Sequence, residues 1–214
     1  GQVGSSVIQT PKDLTTMYYE VLDGRQRRDP KYVGIPTGFS DLDQLVAYRP
    51  GELWYVAASP GVGKTTLLAN LQDELARRKI PSLFASAEQP AVQLMDRSLA
   101  SDTSIDSWKI ARGHLAEDEW ARVSSALARR FDLPAYIYDD PSMTTARLVA
   151  AAQLAKVRHG AQIVFVDYVQ ILADDGDDSE YARVSAISRR LARMARTLGI
   201  CVVAACQVSR KGAE

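Results

Sequence analysis

Lys64 and Thr65, set behind Ala58-Ser59-Pro60-Gly61-Val62-Gly63 and followed by Thr66, carry the most specific chemistry in this sequence. A lysine and a hydroxyl after two closely spaced glycines suit a phosphate. Gly61 and Gly63 let the backbone curl so that its N–H groups face inward, and the Lys64 ammonium supplies a point charge for the outer phosphates. The Thr65 hydroxyl is a hard oxygen ligand for Mg2+. Ser59, Pro60, Gly61, Val62, Gly63, Lys64, Thr65 and Thr66 are therefore candidates for binding a nucleoside triphosphate with its magnesium. The usual spacing G-x-x-x-x-G-K-[ST] has glycine where this chain has Ala58, which is small enough for a strand end.

Cleaving a triphosphate needs three more groups: a second acid for Mg2+, a group that orients the attacking water, and a contact that senses the γ-phosphate. Gln162-Ile163-Val164-Phe165-Val166-Asp167 is an apolar run ending in a carboxylate. In a parallel sheet that carboxylate stands at the strand's C-terminal edge beside the phosphate loop, so Asp167 is the expected second member of the magnesium shell. The alternative, that Asp167 opens a turn, is disfavoured because Tyr168-Val169-Gln170-Ile171-Leu172 stays apolar and offers no turn residues. Glu88 follows Leu83-Phe84-Ala85-Ser86 at the same edge and is the candidate general base; an ordinary helix-start carboxylate beside Pro90 is the other reading. Gln207 ends the run Ile200 to Cys206, where its amide could bond the γ-phosphate and report to a ligand loop, or simply close a strand with a polar group.

These residues need a scaffold that brings strand ends together. Candidate strands are Leu53–Ala58, Ser82–Ser86, Ala135–Tyr138, Ile163–Val166 and Ile200–Cys206, and they alternate with candidate helices Thr65–Arg78, Ala91–Ser101, Ile105–Arg112, Glu117–Phe131, Thr145–His159 and Glu180–Leu198. Alternation of this kind predicts an α/β fold with a mostly parallel sheet flanked by helices. Leu67, Leu68, Leu71 and Leu75 recur at helical spacing after the phosphate loop. Asp174-Asp175-Gly176-Asp177-Asp178 lacks the spacing of a calcium loop and reads as a solvated loop. Arg189, Arg193 and Arg196 make a basic helix face, read as solvated.

Ahead of this core, Thr10-Pro11-Lys12-Asp13 offers a hydroxyl cap, a first-turn proline and an acidic residue. Leu14, Met17, Tyr18, Val21 and Leu22 form a single apolar stripe that Gly24 is expected to close. The polar stretch Arg25 to Lys31 reads as a tether. The predicted organisation is a flexible leader over 1–9, a helix and tether over 10–31, and one α/β domain over 32–214. The stripe needs a groove, either on its own domain or on a neighbouring subunit.

Composition narrows the function classes. With 26 basic and 26 acidic residues the formal net charge is zero, so any nucleic acid must be held by a local patch rather than by global attraction. Hydrophobic residues at 46% suffice for a sizeable core. Cys201 and Cys206, five positions apart on one extended run, would lie about 16 Å apart on opposite faces and cannot bridge each other. Free cysteines, and no apolar stretch of spanning length, predict a cytoplasmic protein with no membrane partner.

The segments Pro36-Thr37-Gly38-Phe39-Ser40-Asp41-Leu42-Asp43, Glu88-Gln89-Pro90 with Gln93 to Ala100, Val166-Asp167-Tyr168-Val169-Gln170-Ile171-Leu172, and Gln207-Val208-Ser209-Arg210 together resemble a DnaB-type replicative DNA helicase. The resemblance runs from about Thr10 to Glu214, and its first segment and phosphate loop are shared with other RecA-like ATPases. It implies a RecA-like P-loop core that binds ATP and Mg2+, with Lys64 and Thr65 on phosphate and metal, Asp167 in the metal shell, Glu88 as catalytic base and Gln207 as γ-phosphate sensor. Arg97 matches an arginine of the family's active-site segment. It further implies a hexameric ring around single-stranded DNA, with ATP between subunits and the Thr10–Asp23 helix docked on its neighbour. Arg210 and Lys211, next to the sensor, are the DNA-proximal candidates. Family strands, a DNA loop and an arginine finger are expected beyond Glu214, and primase and a helicase loader would act through parts outside this chain. The 214 residues alone are therefore expected to hydrolyse ATP weakly or not at all. A recombinase-like or regulatory ATPase that assembles without unwinding is the alternative.

Overall fold

Five strands form one all-parallel sheet: β1 (Leu53–Ala58), β2 (Ser82–Ser86), β3 (Ala135–Asp139), β4 (Ile163–Asp167) and β5 (Cys201–Gln207), in the spatial order β1-β5-β4-β2-β3. The computed structural model describes residues 8–28, 33–174 and 179–208. Every residue of β2 and β4 is buried, as expected of strands covered on both faces.

Two apolar layers sandwich the sheet. Against one face pack α3 (Lys64–Arg77), through Leu68, Leu71 and Leu75, and Leu94 of α4 (Ala91–Thr103), with Phe84, Phe165, Cys201 and Val203 beneath them. Leu67 falls outside this buried stripe and is 38% exposed, because it lies about 100° around the helix from Leu68. On the other face, α7 (Thr145–His159) and α8 (Glu180–Leu198) cover Val164, Val166, Val202 and Ala204 with Leu148, Ile187 and Leu191. Cys201 and Cys206 are both free, and Cys201 belongs to the first layer. Burial pushes its thiol up to about 12.

Beside the first layer, α4, α5 (Ser107–Arg112) and α6 (Glu117–Arg130) enclose a small cluster of Leu99, Ile105, Val123 and Ala126. The second of these helices begins later than its apolar pattern predicts. Ser104 takes a left-handed conformation (φ 54°) and Asp106 caps the new helix by accepting from the Trp108 N–H at 2.8 Å, leaving Ile105 as a buried loop residue.

The N-terminal helix α1 (Pro11–Gln26) has the expected capping box: the Asp13 N–H donates to Thr10 Oγ1 at 3.2 Å, and Asp13 accepts from the Thr10 N–H in return. Gly24 does not close it. The glycine is a buried interior residue, Asp23 and Arg27 pair one turn apart at 3.0 Å, and the left-handed residue that follows the helix is Arg28. The apolar stripe stays outside the domain's own core, with Leu14, Met17, Tyr18 and Leu22 about half exposed. Of the anticipated leader and tether, residues 1–7 and 29–31 lie outside the described residues, while Arg25 and Gln26 belong to α1.

The short helix α2 (Ser40–Asp43) is absent from the sequence-based expectation. Its Asp43 accepts from the Thr37 N–H and hydroxyl and from the Gly38 N–H, folding the segment back on itself. Gly38 has φ 98°, and a side chain there would run into Glu74 of α3.

The acidic run is not a uniformly solvated loop. Asp174 accepts from the Thr145 N–H at 2.8 Å, the Thr145 hydroxyl at 2.7 Å and Arg190 at 2.6 Å, so it caps α7 and ties it to α8. Residues 175–178 lie outside the described residues. Among the described residues, no helix is long and apolar enough to cross a membrane.

Candidate functional site

Parallel register brings the strand ends level. Ala58 pairs with Gln207 across β1 and β5, and Ser86 with Asp167 across β2 and β4. The strand ends that carry Ala58, Ser86, Asp167 and Gln207 therefore collect at one edge, where an open sheet of this kind presents ligand crevices.

The phosphate loop leaves β1 at Ala58 and enters α3 at Lys64. Gly61 and Gly63 hold φ values of 77° and 101°, yet an added Cβ at either would meet nothing within 4 Å. Glycine is required there by backbone conformation, not by crowding. The Lys64 ammonium donates to the carbonyls of Ala58 at 2.9 Å and Ser59 at 3.1 Å, which hold it at the loop's mouth. Across the crevice the Thr65 hydroxyl donates to Asp167 Oδ2 at 2.7 Å.

A cavity of about 320 Å³ lies over these groups, lined by Pro60, Gly61, Gly63, Lys64, Thr65, Thr66, Glu88, Gln89, Arg97, Asp167, Tyr168 and Gln207. Of the loop residues predicted to bind phosphate, Ser59 contributes its carbonyl to Lys64, and Val62 is exposed outside the lining. Arg97 reaches the cavity from α4, although it stands more than thirty positions from the phosphate loop. Arg210 and Lys211 lie outside the described residues. Arg189, Arg193 and Arg196 are exposed.

Asp167 is 1% exposed. Burial, reinforced by the charge of Glu88, raises its carboxyl above the ordinary carboxylate range, against the opposing pull of the Thr65 hydrogen bond, Lys64 and Arg97. A divalent cation would relieve this. The Thr65 hydroxyl and the Asp167 carboxylate are hard oxygen donors already side by side, and among the described residues no group of three or more His, Cys, Asp or Glu could hold a metal by itself. That combination fits magnesium, which is usually held by one or two side chains together with substrate phosphates.

Two features escape the sequence reading. The residues after Asp167 do turn, as a 3-10 helix over Val169–Ile171, even though they are apolar. This turn brings Gln170 back to β5, where its side chain bonds both the N–H and the C=O of Gln207. Gln89 lines the cavity with its Oε1 buried and unpartnered, and Tyr168 joins it there. The signal for Gln170 is its place in the Asp167-Tyr168-Val169-Gln170 segment, which carries the resemblance but does not report the contact with Gln207.

Comparison with known proteins gives a consistent picture. A sequence model of the family described as the DnaB-like helicase C terminal domain matches residues 34–214. The replicative DNA helicase DnaC of Bacillus subtilis is 31% identical over 210 residues, covering 96% of this chain and 46% of that protein. The replicative DNA helicase DnaB of Treponema pallidum is 34% identical over 202 residues, covering 93% and 46%. Among solved structures, one described as an ATPase domain superposes with a TM-score of 0.83 at 27% identity, over 97% of this chain and 73% of that one. A DnaB-like replicative helicase, described with its interactions with primase, gives 0.80 at 27% identity, over 97% and 50%. The chain thus spans about half the length of these replicative helicases.

Proposed function

Because the chain belongs to the DnaB-like helicase C-terminal domain family and has its RecA-like ATPase fold, we propose that it is the motor domain of a replicative DNA helicase. It binds ATP with Mg2+ and couples hydrolysis to movement along single-stranded DNA. The observation that carries this is the convergence of Lys64, Thr65, Glu88, Arg97, Asp167 and Gln207 on one cavity at the C-terminal edge of the sheet. The domain occupies residues 32–214, and α1 with its tether, over 10–31, reaches a neighbouring subunit in a ring.

The mechanism follows from the placement of each group. The phosphate loop and Lys64 bind and orient the triphosphate, and Arg97 adds charge from α4. Thr65 and Asp167 would hold a magnesium ion, which would supply positive charge against the phosphate oxygens. Glu88, on the loop after β2, accepts the proton of the attacking water. Gln207 contacts the γ-phosphate from the end of β5, and Arg210 and Lys211, three and four positions further along the sequence, are the candidates for contacting DNA. The half-exposed stripe of α1 supports docking on an adjacent subunit rather than on its own domain. Primase and a loader are partners of the longer protein, which works in the cytoplasm of a bacterium or of a phage-infected cell.

Steady-state ATP hydrolysis with and without single-stranded DNA, read beside Glu88→Gln, tests the assignment. Glu88→Gln should keep nucleotide binding and lose about 10²- to 10⁴-fold in turnover. Equal loss of binding and turnover would remove Glu88 as the base. Strand displacement by the longer protein separates a helicase from an ATPase that only assembles.

A further inference from the structure

The β4–β5 ladder ends at Val166 and Ala204, whereas the β1–β5 ladder continues to Ala58 and Gln207. The last residues of β5 therefore outrun their neighbour on the β4 side. Backbone groups there need a partner from elsewhere.

Gln170 supplies it. Its Nε2 donates to the Gln207 carbonyl at 2.7 Å and its Oε1 accepts from the Gln207 N–H at 3.1 Å, with a further contact from Nε2 to Cys206 Sγ at 3.3 Å. The carboxamide acts as one more peptide group of β4. Since one bond needs a donor and the other an acceptor, the amide's orientation is dictated. On the opposite side the Val208 N–H donates to the Ala58 carbonyl at 3.2 Å. The backbone of Gln207 is thus fixed from both sides, which sets the direction in which its side chain enters the cavity.

We propose that Gln170 is a positioning residue that clamps the end of β5, holding the Gln207 amide where a γ-phosphate would stand and tying it to Asp167 through a single turn of backbone. This rests on the reading of the cavity as an ATP site. Removing the clamp frees the strand end without touching the phosphate loop, so recognition of the third phosphate suffers while recognition of the first two does not.

The test compares the affinity of the chain for ADP and for a non-hydrolysable ATP analogue, together with hydrogen exchange at the Gln207 amide. Gln170→Ala should leave ADP affinity within about twofold, reduce the preference for the analogue about tenfold and speed exchange at Gln207. Gln170→Glu adds a readout that a merely structural role would not move. Its neutral acid can donate to the Gln207 carbonyl and accept from the N–H, while its carboxylate faces that carbonyl with a second acceptor. The preference should then return as pH falls and the part-buried carboxyl takes up a proton. Lys64, Glu88, Arg97, Asp167 and Tyr168 face the same cavity, so the unmodified chain is titrated alongside. An unmodified chain that binds neither nucleotide overturns the ATP reading and this proposal with it. A preference and exchange rate that survive Gln170→Ala, or a Gln170→Glu variant that stays at the Ala level at every pH, overturn this proposal alone.

Discussion

Asp167 and Asp73 are both nearly inaccessible aspartates, 1% and 5% exposed, yet they are satisfied in opposite ways. Asp73, on α3, receives both Nη atoms of Arg130 at 2.8 and 2.7 Å. The same guanidinium gives its Nε to Asp102 at 2.6 Å, and Arg77 approaches Asp102 from the other side at 2.8 Å. Asp167 is met by a neutral hydroxyl. Burial alone would raise both Asp102 and Asp167, but the arginines hold Asp102 below its ordinary value while Asp167 stays above it. A buried carboxylate whose cation comes from the chain fastens helices together. One met by a hydroxyl alone is left able to take a cation from outside.

The largest effect should come from breaking the self-satisfied case. Arg130→Met strands the buried carboxylate of Asp73 and leaves part-buried Asp102 with Arg77 alone, and should cost about 3–5 kcal/mol of stability, read as a fall in the denaturant midpoint. A loss well under 1 kcal/mol would mean that α6 and α3 are held by packing alone. The opposite sign is expected at the site. Asp167→Asn removes a buried charge while keeping an acceptor for Thr65, so the fold should gain up to about 1 kcal/mol while magnesium-dependent nucleotide binding is lost. A variant that is both less stable and nucleotide-competent would reverse the assignment of roles.

The smallest effect is in the pH dependence of unfolding. The stabilisation from Asp102, whose folded value is lowered, is present above its unfolded value and is lost as pH falls through the folded one. Asp167 runs the other way: its contribution is present below the unfolded value and is lost as pH rises through the raised folded one. In stability measured from about pH 3 to about pH 8, Asp167→Asn should therefore flatten the decline on the neutral side and leave the acid limb unchanged. An altered acid limb would show that the two carboxylates are coupled.

What could be read in the sequence was local. The phosphate loop declares itself within a few residues, since positive φ at Gly61 and Gly63 and the Lys64-Thr65 helix start are demands of a short backbone segment. Asp167 could be found because an apolar run announces its strand, and parallel alternation then places every strand end on the same edge. The contacts that escaped are between distant positions: Gln170 to Gln207, Arg130 to Asp73, and Asp174 to both Thr145 and Arg190. Each is a polar side chain whose partner lies far along the chain, so no periodicity reports it. Gly24 misled for a related reason: glycine stops a helix only when its backbone turns left-handed, and here it is buried inside one.

The 16-residue helix α1 has its own thermodynamic consequence. Isolated helices shorter than about 12–15 residues are marginal in water, α1 is barely longer than that, and a capping box with one exposed ion pair adds little. With its apolar stripe half exposed, α1 owes its persistence to whatever covers that stripe. If a second copy does so, mass action governs it, and the helical content of the N-terminal segment should rise with protein concentration while the sheet domain stays constant.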